Sequence, residues 1–187
     1  SCMTMAPHLA LVTGGGKRIG RAIALRLARD GCDVAVHYNT SAEEAAQAVR
    51  EMEAIGRRAI AVSFDQRDDA QMSEAFAAIR RTLGRAPDVL VNSASIAEID
   101  FFENVDRASL LRHYDINVAG PLLLTQAFAN NLASHPGIVV NITDHKLFNP
   151  NADHFAYTLS KFALQALDDL LARQLAPRIR VCAVAPG

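Results

Sequence analysis

Tyr157 and Lys161 lie four residues apart in a segment whose apolar residues recur at helical spacing, so a phenol and an ammonium share one helix face. A phenol with its ordinary pKa of about 10 exchanges protons poorly at neutral pH. An adjacent ammonium stabilises the phenolate, lowers that pKa and makes the phenol a usable acid–base group. The same spacing arises by chance on helix surfaces, so its meaning depends on which other groups converge on it. A second feature is the run Thr13-Gly14-Gly15-Gly16-Lys17-Arg18-Ile19-Gly20. Glycines permit a tight turn and let backbone N–H groups approach a pyrophosphate at the positive end of a helix. The plainer alternative is a flexible loop, but a position between a β-type run and a helical one favours nucleotide binding.

Short β-type runs alternate with longer amphipathic ones along the whole chain. The β-type runs are His8–Thr13, Asp33–Tyr38, Ala59–Phe64, Asp88–Val91, Gly137–Thr143 and Ile179–Ala185. Helical patterns cover Ile19–Arg29, Ser41–Ile55, Ala70–Leu83, Arg107–Leu132 and His154–Leu175. The second of these opens on the capping box Ser41-x-x-Glu44 and closes at Gly56, and Gly84 stops the third. Near-continuous apolar strands alternating with helices predict a parallel sheet covered on both faces. Right-handed crossovers make it an α/β, doubly wound, Rossmann-like sheet, here one domain over 1–187. Ligands of such sheets sit at the carboxyl ends of the strands. At the end of the second strand, a carboxylate would bind the ribose hydroxyls of NAD and repel the extra phosphate of NADP. The segment there is Tyr38-Asn39-Thr40-Ser41, and Lys17 and Arg18 can reach the same corner. Hydroxyls, an amide and two cations suit a 2′-phosphate better than a bare diol, although Asn39–Ser41 also reads as a helix-capping turn.

Composition narrows the function classes. The 187 residues are 50% hydrophobic and 21% charged, ordinary for a folded domain with a substantial core. A net charge of −1 gives no reason to expect nucleic acid or anionic lipid as a main partner. Cys2, Cys32 and Cys182 are isolated, without zinc or disulfide spacing. Residues 1–12 lack the pattern of a secretory leader, and no apolar run reaches membrane-spanning length. These features predict a soluble, cytoplasmic protein acting on a small molecule. His8, His37, His113, His135, His145 and His154 show no metal-site spacing and are expected mostly at the surface or in loops, so no metal is expected. His145 and His154 bracket the loop before Tyr157. The Leu122–Leu124 run and Leu164, Leu167, Leu170 and Leu171 read as core or subunit interface.

Taken in order, these motifs resemble the short-chain dehydrogenase/reductase family over essentially the whole length. They are the Thr13–Gly20 turn, Asp65 after the third strand, Asn92-Ser93-Ala94 after the fourth, Asn117, Tyr157-x3-Lys161 and the closing Pro186-Gly187. The resemblance implies an oxidoreductase using NADP(H), usually a homodimer or homotetramer. By it, Gly14, Lys17, Arg18, Ile19, Gly20, Tyr38, Asn39, Thr40 and Ser41 bind the cofactor's phosphates and adenosine ribose. Asp65 bonds the adenine, with Gln66 beside it. Asn92, Ser93 and Ala94 line the groove. Lys161 holds the nicotinamide ribose and tunes Tyr157, Asn117 holds a water in a proton relay, and Pro186 and Gly187 flank the nicotinamide.

Two departures narrow the resemblance further. Arg18 stands where the family usually has Gly, and Asp144 where it has Ser; both exchanges are shared with pteridine and dihydromonapterin reductases. Reduction of a pterin C=N bond needs a proton on ring nitrogen, which a carboxylic acid supplies directly. Asp144 would then be catalytic, its alternative role being to cap the loop after the fifth strand. Arg18, Ser95, Asp144 and Tyr157 would face substrate. Against this, Ile96-Ala97 follows Ser95 where pteridine reductases carry an aromatic residue, and Phe101 or Phe102 replaces it only if the loop folds back. An ordinary carbonyl reductase is the alternative, with Thr143 supplying the missing hydroxyl; a cofactor-binding sensor without turnover is a third. The family continues past Pro-Gly, and a sheet ending on its sixth strand would expose an apolar edge. The chain is therefore expected to lack the C-terminal part of the fold, with much of the substrate pocket.

Overall fold

Six strands rich in Val, Ile, Leu and Ala pair in parallel, as fully covered strands must. In the computed structural model, which describes residues 6–148 and 150–186, they are β1 (Leu9–Val12), β2 (Asp33–Tyr38), β3 (Ala59–Ser63), β4 (Val89–Asn92), β5 (Gly137–Ile142) and β6 (Ile179–Val184). Their order is β3-β2-β1-β4-β5-β6. Six helices connect them: α1 (Arg18–Arg29), α2 (Ala42–Ala54), α3 (Asp69–Leu83), α4 (Arg107–Tyr114), α5 (Gly120–Leu132) and α6 (Phe155–Leu175).

Strand alternation divides the core. Leu9 and Leu11 join Phe64, Phe76, Ile79, Leu90 and Phe128 on one face. Ala10 and Val12 join Leu25, Val34, Val36 and Met52 on the other. Burying one such Leu or Phe side chain is worth roughly 1.5–3 kcal/mol, which fixes the register against one-residue slips. In that register Val12 lies opposite both Val36 and Val91, and Asn92 opposite Asn141. The carboxyl ends of β1, β2, β4 and β5 are therefore level. The crevice opens at β1, where the chain order reverses.

Two sequence expectations need correction, and two histidines are exceptions to the expectation that most lie at the surface or in loops. The pattern 107–132 is not one helix: α4 and α5 are separated by a π-helical segment, Asp115–Ala119, that contains Asn117. Pro121 has no N–H to give to the Asn117 carbonyl, so an unbroken α-helix is not available there. The capping box at Ser41 does not form; the Ser41 side chain makes no cap bond, and Glu44 lies 3.8 Å from Lys17 Nζ instead. His37 and His113 are not surface residues but are 2% and 0% exposed. At the β6 edge only Ile179 is fully buried, and Val184 is half exposed. Among the described residues no helix is long and apolar enough to cross a membrane, and no group of His, Cys, Asp and Glu could hold a metal ion.

Candidate active site

At the crevice the glycine turn is built from both sides. Gly14 adopts φ +60, and a Cβ there would lie 3.2 Å from the Ala94 Cα; a Cβ on Gly20 would lie 2.3 Å from the Gly14 carbonyl oxygen. Neither position accepts a side chain without movement of backbone. Thr13 ties the turn to β4, its hydroxyl accepting the N–H groups of Ser93 at 2.9 Å and Ala94 at 3.0 Å. His37 ties it to β2: the Gly14 N–H donates to Nδ1 at 3.1 Å, and Nε2 donates to the Phe64 carbonyl at 2.9 Å. These partners place the ring proton on Nε2. Burial holds the His37 pKa down at about 4, outweighing the Phe64 carbonyl and the Asp65 charge.

A cavity of about 530 Å³ follows this turn along the strand ends. Its wall includes Gly14, Lys17, Arg18, Ile19 and Gly20 from the turn and Tyr38, Asn39, Thr40 and Ser41 after β2. Asp65 and Gln66 follow β3, Ser93, Ala94 and Ser95 follow β4, and Tyr157 closes the far end. Sequence motifs thus converge on one space. Ile96, Ala97, Ile116, Phe64 and His37 also line it and were not anticipated. Only the apolar character of His37's neighbours in β2 hinted at its burial. Asp65 is held below the usual carboxylate range, chiefly by the Arg67 guanidinium 2.7 Å away.

Asn92 does not line the cavity. It is 2% exposed and donates to Asn141 at 2.9 Å, and Asn141 donates to Asp168 at 2.9 Å, a buried polar chain joining β4, β5 and α6. Both N–H groups of the Asn117 amide are committed within the protein. The side chain donates to the Ile96 carbonyl and to Ser160 Oγ and accepts from the Ile96 N–H, each at 2.9 Å, so it clamps the loop after β4 to α6. Pro186 is half-buried and outside the cavity wall, and Gly187 lies outside the described residues.

At the far end Tyr157 Oη donates to Asp144 Oδ2 at 2.5 Å, and His145 Nδ1 lies 3.2 Å from Asp144 Oδ1. Lys161 is 4% exposed and donates to the Ile142 carbonyl at 3.0 Å, with Nζ 5.7 Å from the Tyr157 ring centre. Burial pushes the Lys161 pKa down to about 8, while the Asp144 charge pulls the other way. Tyr157 is raised well above the ordinary tyrosine value, by burial first and then by the hydrogen bond and charge of Asp144. The expected lowering by Lys161 is therefore not what this site does; burial first, and then the carboxylate at hydrogen-bond distance, favour the protonated phenol. The Thr143 hydroxyl, offered as a substitute for the family's serine, instead donates to the Val184 carbonyl at 3.2 Å. Phe101 and Phe102 are exposed and do not reach the cavity wall.

Neutral His37 carries a pH signature. Unfolded, it takes up a proton near pH 6.5; folded, not until about 4. Protons therefore favour unfolding across that window, and stability falls as pH drops through it, by about 3 kcal/mol for this group alone. Urea unfolding from pH 7 to pH 4 should show a shallower pH dependence for His37→Gln than for wild type; equal slopes would contradict the burial assigned to the ring.

Residues 8–187 match the family described as short chain dehydrogenase. An uncharacterized oxidoreductase of Methylorubrum extorquens is 39% identical over 180 residues, 96% of this chain and 72% of that protein. The L-2,3-butanediol dehydrogenase of Corynebacterium glutamicum is 34% identical over 183 residues, 96% of this chain and 70% of its own length. Among solved structures, FolM alternative dihydrofolate reductase 1 of Brucella canis, complexed with NADP, superposes with a TM-score of 0.89 at 37% identity, covering 97% of this chain and 74% of that one. With the glycine turn, the strand-end loops and Tyr157 lining one crevice, and Lys161 buried one turn further along α6, the chain belongs to the short-chain dehydrogenase family of oxidoreductases.

Proposed function

We propose that this protein is an NADPH-dependent reductase of a dihydropterin, and that the hydrogen bond between Tyr157 and Asp144 is its proton-donating device. The observation that carries the reading is the 2.5 Å separation of Tyr157 Oη and Asp144 Oδ2. The NADP-bound Brucella reductase, similar to this chain, adds support.

The residues fit the cofactor. Gly14 and Gly20 leave room for backbone to approach a pyrophosphate, and Lys17 and Arg18 bring cations to the corner where β2 ends without a carboxylate. Gln66 lines the cavity with Oε1 buried and without a donor among the described residues, an acceptor suited to a ligand's amino group. NADPH supplies the hydride. The protein's own task is the proton. Two oxygen atoms this close share one proton and titrate as a pair, so the pair gives it to the ring nitrogen as the C=N bond is reduced. Asp144 keeps the phenol protonated until then. Lys161 supplies the positive charge that offsets the anion left behind.

A carbonyl substrate is the second reading, favoured by the likeness to a butanediol dehydrogenase. Asp144 would then orient the carbonyl through Tyr157, because the Thr143 hydroxyl is committed to β6. For the quaternary state we place homo-oligomer contacts on the outer faces of α4 and α6, where Leu110, Leu111, Tyr114, Leu159 and Phe162 remain exposed.

NADPH oxidation with dihydromonapterin and dihydrobiopterin, beside a panel of ketones, tests the reading. Turnover is expected on the pterins and should fall about 10²–10⁴-fold in Asp144→Ser and in Tyr157→Phe, with NADPH binding retained. Turnover by wild type on ketones alone would move Asp144 from proton donor to orienting group. Arg18 supports a separate prediction, because it holds φ +47, a left-handed conformation that favours glycine. Arg18→Gly should stabilise the fold by up to about 1 kcal/mol while weakening NADPH binding about tenfold, read by thermal unfolding and fluorescence titration. Unchanged NADPH affinity would remove Arg18 from the binding site.

A further inference from the structure

We propose that Asp100 is a positioning residue for Tyr157 and Lys161: its carboxylate, reaching across from the loop after β4, fixes the first turn of the helix that carries them. The inference rests on those two residues managing the proton, whichever substrate is reduced.

The first N–H groups of a helix have no acceptor within the helix, and a neighbouring side chain usually supplies one. α3 and α4 are capped in this local way, by Asp68 and Asp106. α6 is not, for the His154 side chain at its start makes no cap hydrogen bond. The acceptor comes from 55 residues away. Asp100 is 6% exposed, and its carboxylate accepts the N–H of Phe155 and that of Ala156, the latter at 3.4 Å and 3.3 Å from its two oxygens. The backbone joins in: the Asp100 N–H donates to the Asp153 carbonyl at 3.2 Å, and Asp100 forms a parallel bridge with His154. An anion here also sits at the positive end of a helix of 21 residues.

Tyr157 follows directly on the two amides that Asp100 holds. The phenol must meet Asp144 at 2.5 Å, and Lys161, one turn later, must reach the Ile142 carbonyl. Fraying of this turn would disturb both contacts. The same loop begins with Ser93, Ala94, Ser95, Ile96 and Ala97 of the cavity wall. Asp100 thus links the cofactor side of the crevice to the proton-donating side. None of the motifs that mark the family includes it.

The test compares Asp100→Ala and Asp100→Asn with wild type, as full chains, in three measurements. These are NADPH affinity by fluorescence, kcat for NADPH oxidation with the best pterin or ketone of the panel, and hydrogen exchange at the amides of residues 155–157. In Asp100→Ala, kcat should fall about a hundredfold and exchange at 155–157 should accelerate, with NADPH affinity held within about twofold, since misplacement near 1 Å suffices for such a loss. Asp100→Asn keeps an acceptor oxygen and should recover most of both. A folded Asp100→Ala with kcat within about twofold of wild type overturns the proposal. Should that variant fail to fold, Asp100→Ser, whose single short acceptor cannot serve both amides, is held to the same criteria. Should wild type turn over none of these compounds, the proposed function fails, and exchange alone decides for Asp100: unchanged protection at 155–157 overturns it.

Discussion

The hydrogen bond from Tyr157 to Asp144 requires the end of β5 and the start of α6 to be held at a fixed separation, though they lie on different elements of the chain. Several bonds impose it. The Thr143 N–H donates to the Val184 carbonyl at 2.8 Å, anchoring the β5 end to β6. Lys161 crosses from α6 to the Ile142 carbonyl. The Asp144 carbonyl accepts the Leu147 N–H at 3.1 Å, turning the chain away immediately after the carboxylate. Within this frame burial first, and then the hydrogen bond and charge of Asp144, hold the Tyr157 pKa above its ordinary value.

The cofactor side of the crevice depends on a different economy of bonds. One threonine hydroxyl accepts two consecutive N–H groups after β4, and one imidazole bridges the glycine turn and the end of β3. Both act because the parallel register puts β1, β2, β3 and β4 side by side with their carboxyl ends level. A buried neutral histidine does what a main-chain partner would do elsewhere: it satisfies Gly14 without adding charge beside a site for phosphates.

Much of this was legible in the sequence because it is local. Apolar runs of strand length, the glycine turn and the four-residue step from Tyr157 to Lys161 each carry their meaning in adjacent residues. The doubly wound parallel sheet followed from the alternation of strand and helix together with crossover handedness. What escaped depended on partners distant in the chain. The role of His37 was not legible because nothing nearby in sequence shows that Gly14 and Phe64 will meet its two nitrogens. Glu44 had the spacing of a capping residue, but Lys17 from another loop lies within its reach. Asn92 and Asn117 were placed at the correct strand and helix, yet their amides turn to buried partners on β5 and α6. The Tyr157 pKa, expected to be lowered by Lys161, is instead raised, by burial first and then by Asp144, because sequence gives neither the depth of burial nor the distances between the groups.

The central claim, that Asp144 rather than Lys161 governs the Tyr157 proton, can be tested without any substrate. The chain has three tyrosines, Tyr38, Tyr114 and Tyr157. Ultraviolet difference titration of wild type against Tyr157→Phe isolates the ionisation of Tyr157. The account predicts that it ionises only above the ordinary tyrosine value of about 10, and at lower pH in Asp144→Asn. Ionisation below that value in wild type, unaffected by Asp144→Asn, would show that the ammonium controls the phenol and would contradict the account.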